Sequence, residues 1–114
     1  MSAITTHVLD TSAGRPAGGV PVVLEVQVSG GGWQVLGQGR TDEDGRLKSL
    51  LAADYPFEEG IYRLTFDTAA YFAARNVPGF YPHVTVAFVV HDAAQHYHVP
   101  LLLSPYGYST YRGS

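Results

Sequence analysis

Short runs of β-prone residues, each closed by glycine or proline, limit what this chain can fold into. Thirteen glycines and seven prolines interrupt segments rich in Val, Tyr, Phe and Thr. Residues 20–28 alternate with period two, so that Val22, Leu24 and Val26 share one face of a strand. Several such strands separated by turn residues predict an all-β sandwich or barrel.

The predicted elements are seven or eight strands and one short helix. The helix is predicted over about residues 68–76, because Asp67 offers an N-cap, good helix formers follow and Pro78 ends the segment. The strands are predicted over 4–9, 20–28, 33–40, 46–50, 60–66, 83–91, 95–103 and 108–113. No repeat or linker divides the chain, so we expect a single domain over residues 1–114.

Composition argues against several classes of function. The seven Lys and Arg residues are scattered and the net charge is −3, which argues against binding to a nucleic-acid backbone. No signal-peptide pattern and no membrane-length apolar run is present, so we expect a cytoplasmic protein without membrane contact. The absence of cysteine excludes disulfides and thiolate chemistry. The charged fraction of 15% is low, which suggests that some surface is buried against another subunit.

A His-x-His pair in the last predicted long strand is the first candidate for chemistry. His96 and His98 share one face of a regular strand, while Tyr97 and Val99 point to the other face and resemble core residues. His98 is therefore predicted to face away from the core. The pair has three interpretations: solvated side chains, metal ligands together with a distant His, or an acid–base group that titrates near neutrality.

His7 and Arg46 are equally ambiguous. His7 shares a strand face with Thr5 and Leu9, and an isolated His near a strand end is more often structural than catalytic. Arg46 follows the acidic turn 41–45. It is either a solvated side chain or a fixed cation whose planar guanidinium holds anions or carbonyls. Nothing in their spacing shows that these residues meet His98.

The C-terminal motif Tyr111-Arg112-Gly113-Ser114 is highly specific. Upstream of it lies HYHVPLLLSPYGYST over residues 96–110, preceded in order by the segments 7–10, 14–17, 41–46 and 60–63. On these motifs essentially the whole chain resembles the 5-hydroxyisourate hydrolases, the transthyretin-related proteins. The resemblance implies a transthyretin-like sandwich of two four-stranded antiparallel sheets with one short helix. It also implies a homotetramer, a dimer of dimers around a central channel, with no metal and no cofactor.

The resemblance also implies an enzyme activity and assigns its residues. The reaction is hydrolysis of 5-hydroxyisourate to 2-oxo-4-hydroxy-4-carboxy-5-ureidoimidazoline in urate degradation. His7, Arg46 and His98 match the catalytic residues, and Tyr111, Arg112, Gly113 and Ser114 match the substrate-binding end of the same intersubunit site. One His would accept a proton from water, and Arg46 would hold the ring or stabilise charge at a carbonyl. Which His is the base stays open, and His96 is either solvated or a partner of these groups.

A ligand carrier with the same fold is the main alternative. A transthyretin-like carrier of thyroid-hormone-type ligands would share the sandwich, so the fold does not decide. Transthyretins lack the His-Arg-His set and the Tyr-Arg-Gly-Ser ending, which favours the hydrolase. A secreted interaction module and a metal-dependent hydrolase are weaker alternatives.

Overall fold

Two sheets packed face to face, together with one helix, make up the computed structural model, which describes residues 2–114. Over that range the elements are β1 (Ile4–Asp10), β2 (Arg15–Pro16), β3 (Pro21–Gln27), β4 (Trp33–Arg40), β5 (Arg46–Leu47), β6 (Gly60–Phe66), α1 (Thr68–Ala74), β7 (Val84–Val90), β8 (Tyr97–Ser104) and β9 (Gly107–Thr110). Sheet A has the order β2-β1-β8-β9, with β5 also paired to β1, and sheet B has the order β4-β3-β6-β7.

The two-sheet sandwich with one short helix confirms the predicted fold class, and sheet A differs from the prediction in three details. It has five strands rather than four, because the two-residue strands β2 and β5 both pair with β1. β1 and β8 run parallel, where the prediction was antiparallel throughout. Most of the chain separates them, so no hairpin sets their direction. The last strand ends at Thr110 rather than at 113.

The helix forms where the sequence predicts it and is slightly shorter, Thr68–Ala74. The Asp67 carboxylate accepts a hydrogen bond from the Ala70 backbone N–H at 3.0 Å, which is the predicted N-cap. No helix within residues 2–114 has the length and apolar character needed to cross a membrane.

The core lies between the inner faces of the sheets. Val22 and Leu24 of β3 face Leu101 and Leu103 of β8 across the sandwich, and each is at most 2% exposed. Burying one such side chain stabilises the fold by roughly 1.5–3 kcal/mol. Because the odd-numbered residues of β8 are buried, the even-numbered His98 points to the outer face of sheet A, as predicted.

A buried carboxylate joins α1 to the end of β1. The Tyr71 hydroxyl donates to Asp10 at 2.7 Å, and the Ser12 hydroxyl and the Ala13 N–H donate to the same carboxylate. Burial raises the pKa of Asp10, but these hydrogen bonds outweigh it and hold the pKa below its ordinary value. The bonds hold β1, the central strand of the site, against the helix.

Candidate active site

The strand register of sheet A brings the three predicted catalytic residues onto one face. In the antiparallel pair β1–β5, His7 lies opposite Arg46. In the parallel pair β1–β8, Thr5 lies opposite His98. Thr5 and His7 share a face of β1, and residues paired across strands share a face of the sheet. His7, Arg46 and His98 therefore lie together on the outer face of sheet A.

A pocket of about 280 Å³ opens on this face. Three of the seven predicted site residues line it, Arg46, His98 and Ser114, and His7 lies beside it, paired with Arg46. Its lining residues are Thr5, Thr6, Arg46, Lys48, His96, His98 and Ser114. Across residues 2–114, no group of three or more His, Cys, Asp or Glu side chains is arranged to hold a metal ion.

The turn between β4 and β5 places Arg46. The Asp42 carboxylate accepts hydrogen bonds from the backbone N–H groups of Asp44 and Arg46, both at 2.9 Å. The Arg46 N–H bond is the main cause of the lowered pKa of Asp42. Gly45 has a φ of +75°, and a Cβ there would clash with the carbonyl oxygen of Val8 on β1. The turn therefore needs glycine at this position, both for its backbone conformation and for its close approach to β1.

The same turn sets the protonation of His7. His7 Nε2 lies 2.8 Å from the carbonyl oxygen of Asp44. A carbonyl oxygen only accepts hydrogen bonds, so Nε2 carries a proton and donates it to that bond. Nδ1 is therefore the ring nitrogen of His7 that is left for other partners.

His98 is half-buried and held on two sides. Its Nδ1 lies 2.8 Å from the Thr5 hydroxyl, and its backbone carbonyl accepts the Gly113 N–H at 2.8 Å. A Cβ added to Gly113 would lie 2.6 Å from His98 Cδ2, so only glycine leaves room for the ring here. Burial, and then the positive charges of Arg46, His7 and His96, lower the pKa of His98. The imidazole is therefore neutral near pH 7.

The Arg46 guanidinium is available to a ligand. It is exposed, and no ion pair or hydrogen bond to its side chain is found within residues 2–114. A planar cation without an internal partner can hold a carbonyl oxygen or an anion.

The C-terminal motif is divided between two places. Gly113 and Ser114 lie at His98, whereas Tyr111 and Arg112 line a separate cavity of about 280 Å³ beside residues 86–89 of β7. The Arg112 guanidinium lies 4.5 Å from the centroid of the Tyr97 ring and donates to Gln95 at 2.8 Å. Within one chain, Tyr111 and Arg112 are thus not brought to the pocket. Because β9 ends at Thr110, Tyr111 and Arg112 do not continue the strand that was predicted over 108–113.

Sequence reasoning missed three residues that line the pocket, Thr5, Thr6 and Lys48. Thr5 has the same parity as His7 on β1, and Lys48 has the same parity as Arg46. That parity was a usable signal once His7 and Arg46 were suspected. Thr6 has the opposite parity on β1, so the alternation gave no signal for it. His96, for which no role was predicted, also lines the pocket and stays on the same side as His98, as the alternation predicts.

Comparisons with known proteins agree with the fold. The family described as HIUase/Transthyretin matches residues 4–113. The 5-hydroxyisourate hydrolase of Salmonella typhimurium is 48% identical over 97% of this chain and 80% of its own length. The solved 5-hydroxyisourate hydrolase of Klebsiella pneumoniae is 38% identical, with a TM-score of 0.82 over 97% of this chain and 98% of that one. Sea bream transthyretin in complex with thyroxine is 33% identical, with a TM-score of 0.91 over 97% of this chain and 94% of that one.

Proposed function

The chain belongs to the HIUase/Transthyretin family, and we propose that it is a 5-hydroxyisourate hydrolase of urate degradation. It adds water to a ring amide of 5-hydroxyisourate and opens the ring to 2-oxo-4-hydroxy-4-carboxy-5-ureidoimidazoline. One observation carries the proposal: His7, Arg46 and His98 converge on the outer face of sheet A at a pocket. Among the solved structures, the higher identity to the hydrolase, 38% against 33% for the transthyretin, agrees with it.

His98 is the general base in this proposal. Its pKa is lowered by burial and by nearby positive charge, so the ring is neutral and able to accept a proton at neutral pH. Thr5 occupies Nδ1, which leaves Nε2 for the attacking water. The water oxygen then bonds to the amide carbon as its proton passes to His98.

Arg46 stabilises the oxyanion that forms on the carbonyl. Negative charge develops on that oxygen as water attacks, and a fixed cation nearby lowers the energy of the transition state. Arg46 suits this role because its guanidinium has no internal partner within the described residues. Its position is set by the 41–45 turn and by pairing with His7.

His7 supplies the proton that the leaving nitrogen needs. Its Nε2–H is used by the Asp44 carbonyl, so transfer would occur from Nδ1 of the imidazolium. When the ring C–N bond breaks, the nitrogen takes that proton and His7 becomes neutral. His98 has gained one proton from water in the same turnover. His98 then gives a proton to solvent and His7 takes one up, which restores both rings for the next turnover.

We also propose the homotetramer, a dimer of dimers, because exposed apolar side chains are concentrated near two edge strands. β7 and β9 are free edges of sheets B and A, and near them Phe80 and Tyr106 are 69% and 68% exposed. In such an assembly Ser114 closes the pocket of its own subunit, while Tyr111 and Arg112 border that of a neighbour. Native mass spectrometry should give four copies; a monomer would contradict this part of the proposal.

The proposal treats residues 1–114 as one domain that works in the cytoplasm without metal or cofactor. Fractionation of cells that make the tagged chain tests the compartment. Dialysis against a strong chelator should leave activity unchanged. Loss of activity that zinc restores would instead favour the metal-dependent alternative.

An ultraviolet assay with freshly generated 5-hydroxyisourate tests the activity. Substrate decay should be accelerated well above its spontaneous rate, in proportion to enzyme concentration. Thyroxine binding, measured by calorimetry in parallel, tests the carrier alternative. Binding without any acceleration of decay would overturn the hydrolase assignment.

A further inference from the structure

The hydroxyl of Thr5 lies between two imidazoles. Its Oγ1 is 2.8 Å from His98 Nδ1 and 3.2 Å from His96 Nε2. The two rings are nearly parallel, with centroids 6.5 Å apart and an interplanar angle of 17°. Thr5 is only 3% exposed, so water has little access to compete for this hydroxyl.

The single proton of a hydroxyl couples the two rings. Thr5 can donate to only one of the two nitrogens and must accept from the other if both hydrogen bonds form. If Thr5 donates to His98 Nδ1, then neutral His98 carries its proton on Nε2 and has no lone pair for water. If His98 Nδ1–H donates to Thr5, then Thr5 donates to His96 Nε2 and His98 Nε2 is bare.

The charges around the pocket favour the second arrangement. His98 shares the pocket with the cationic side chains of Arg46 and Lys48, which outnumber the carboxylate of Ser114 among the described residues that line it. A bare nitrogen directed into a pocket with positive charge has lower energy than an N–H dipole directed there. The second arrangement is also the one that a general base requires, and in this respect the inference rests on the proposed function.

We propose that Thr5 and His96 are positioning residues that hold His98 in the tautomer with Nδ1 protonated and Nε2 bare. His96 acts as the terminal acceptor, Thr5 transmits the direction of the hydrogen bonds, and His98 presents its lone pair to water. Neither Thr5 nor His96 needs to touch substrate for this role. The sequence left open whether His96 is solvated or a partner of the catalytic groups, and this proposal makes it a partner of Thr5.

The arrangement makes the base sensitive to the protonation of His96. A proton on His96 Nε2 turns that nitrogen into a donor, so Thr5 must then donate to His98 and the favourable tautomer is lost. The other charged or titratable groups around His98 are His7 on β1, Arg46 on β5, Lys48 beyond it and the carboxylate of Ser114. Because these groups also act on His98, the pH profile has to be compared between variants rather than interpreted alone.

Nitrogen-15 NMR of the free protein at pH 8 tests the tautomer without any substrate. His98 should show a protonated Nδ1 and an unprotonated Nε2, and Thr5→Val should shift the population toward the Nε2–H form. A wild-type His98 with Nε2 protonated overturns the inference. This measurement is independent of turnover, so its failure is distinguishable from failure of the proposed function.

Kinetics of matched variants provide the second test. Thr5→Val should lower kcat by about 3- to 10-fold with little change in KM, and Thr5→Ser should restore it to within about twofold. His96→Leu, which removes the acceptor, should resemble Thr5→Val, whereas Thr65→Val on sheet B should have no effect. Wild-type kcat in folded Thr5→Val would overturn the inference, and if that variant does not fold, the wild-type NMR result decides alone.

Discussion

The outer faces of the two sheets contain similar residues but have different properties. On sheet B, Arg63 donates to Glu25 at 2.8 Å and its guanidinium lies 4.1 Å from the centroid of the Trp33 ring. On sheet A, Arg46 has no such internal partner within residues 2–114. Arg63 is therefore committed to the fold, whereas Arg46 can bind a ligand. Both outer faces contain an arginine, and the candidate site differs in that its arginine has no internal partner within residues 2–114.

The histidines differ between the sheets in the same way. His83 and His91 lie just beyond the two ends of β7 in sheet B and are exposed. His7, His96 and His98 meet on sheet A, where the charges of Arg46, His7 and His96 contribute to the lowered pKa of His98. A change on sheet A and a matched change on sheet B should therefore have different effects.

The largest effect is expected for His98→Ala. Removing the base should lower kcat/KM by about 10²–10⁴-fold, because general base catalysis contributes that much. His91→Ala on sheet B should leave the rate unchanged. The ultraviolet assay measures both variants, and circular dichroism checks that both are folded. A folded His98→Ala variant with wild-type activity would show that His98 is not the general base.

Arg46→Ala should follow, with a loss of about 10²–10³-fold in kcat/KM from the missing oxyanion partner. Its tetramer should persist in native mass spectrometry, because Arg46 has no structural partner within the described residues. Arg63→Ala should show the reverse pattern: unchanged turnover and a free energy of unfolding lower by about 1 kcal/mol or less. Equal losses of kcat/KM in Arg46→Ala and Arg63→Ala would contradict the different roles given to the two arginines.

Gly113→Ala should cost roughly tenfold in kcat/KM by moving the His98 ring, since a small misplacement of a reacting group slows catalysis. The new Cβ would lie 2.6 Å from His98 Cδ2 and 3.2 Å from Pro100 Cγ. Gly32→Ala beside sheet B places its Cβ no closer than 3.7 Å to Val28 and is the control. If Gly113→Ala is fully active, the close packing of the C-terminal segment does not position the base.

The smallest effect concerns pH and stability. The pKa of His98 is lowered in the folded state, so the unfolded chain binds more protons as the pH falls below about 6.5, the ordinary value for His. Stability that is present above that pH is therefore lost below it. Urea unfolding at pH 7.5 and 5.5 should show a smaller loss for His98→Gln than for the wild type, and an unchanged loss for His91→Gln. An identical loss in all three proteins would contradict the lowered pKa.

The electrostatic cause of that shift can be tested separately. Arg46→Ala removes one of the positive charges that lower the pKa of His98, so the NMR titration of His98 should move to higher pH. Arg63→Ala should not move it. An unmoved His98 titration in Arg46→Ala would contradict the contribution of the Arg46 charge to the lowered pKa.

Local features of the fold could be predicted because they depend on neighbours in sequence. Alternation in β8 correctly separated the buried Tyr97 and Val99 from His98, because successive side chains point to opposite faces of any strand. Asp67 correctly marked the start of α1, because a cap acts within a few residues. The C-terminal motif indicated the family on residue identity alone.

The meeting of His7, Arg46 and His98 was decided only by the tertiary structure. It depends on a parallel register between β1 and β8, strands separated by most of the chain, and no local interaction encodes that register. The same long-range pairing places Thr5 beside His98 and leaves Tyr111 at another cavity. The type of a residue and the strand face on which it lies are local properties. The distances between the site side chains, and whether a side chain such as Arg46 has an internal partner, depend on how remote segments pack.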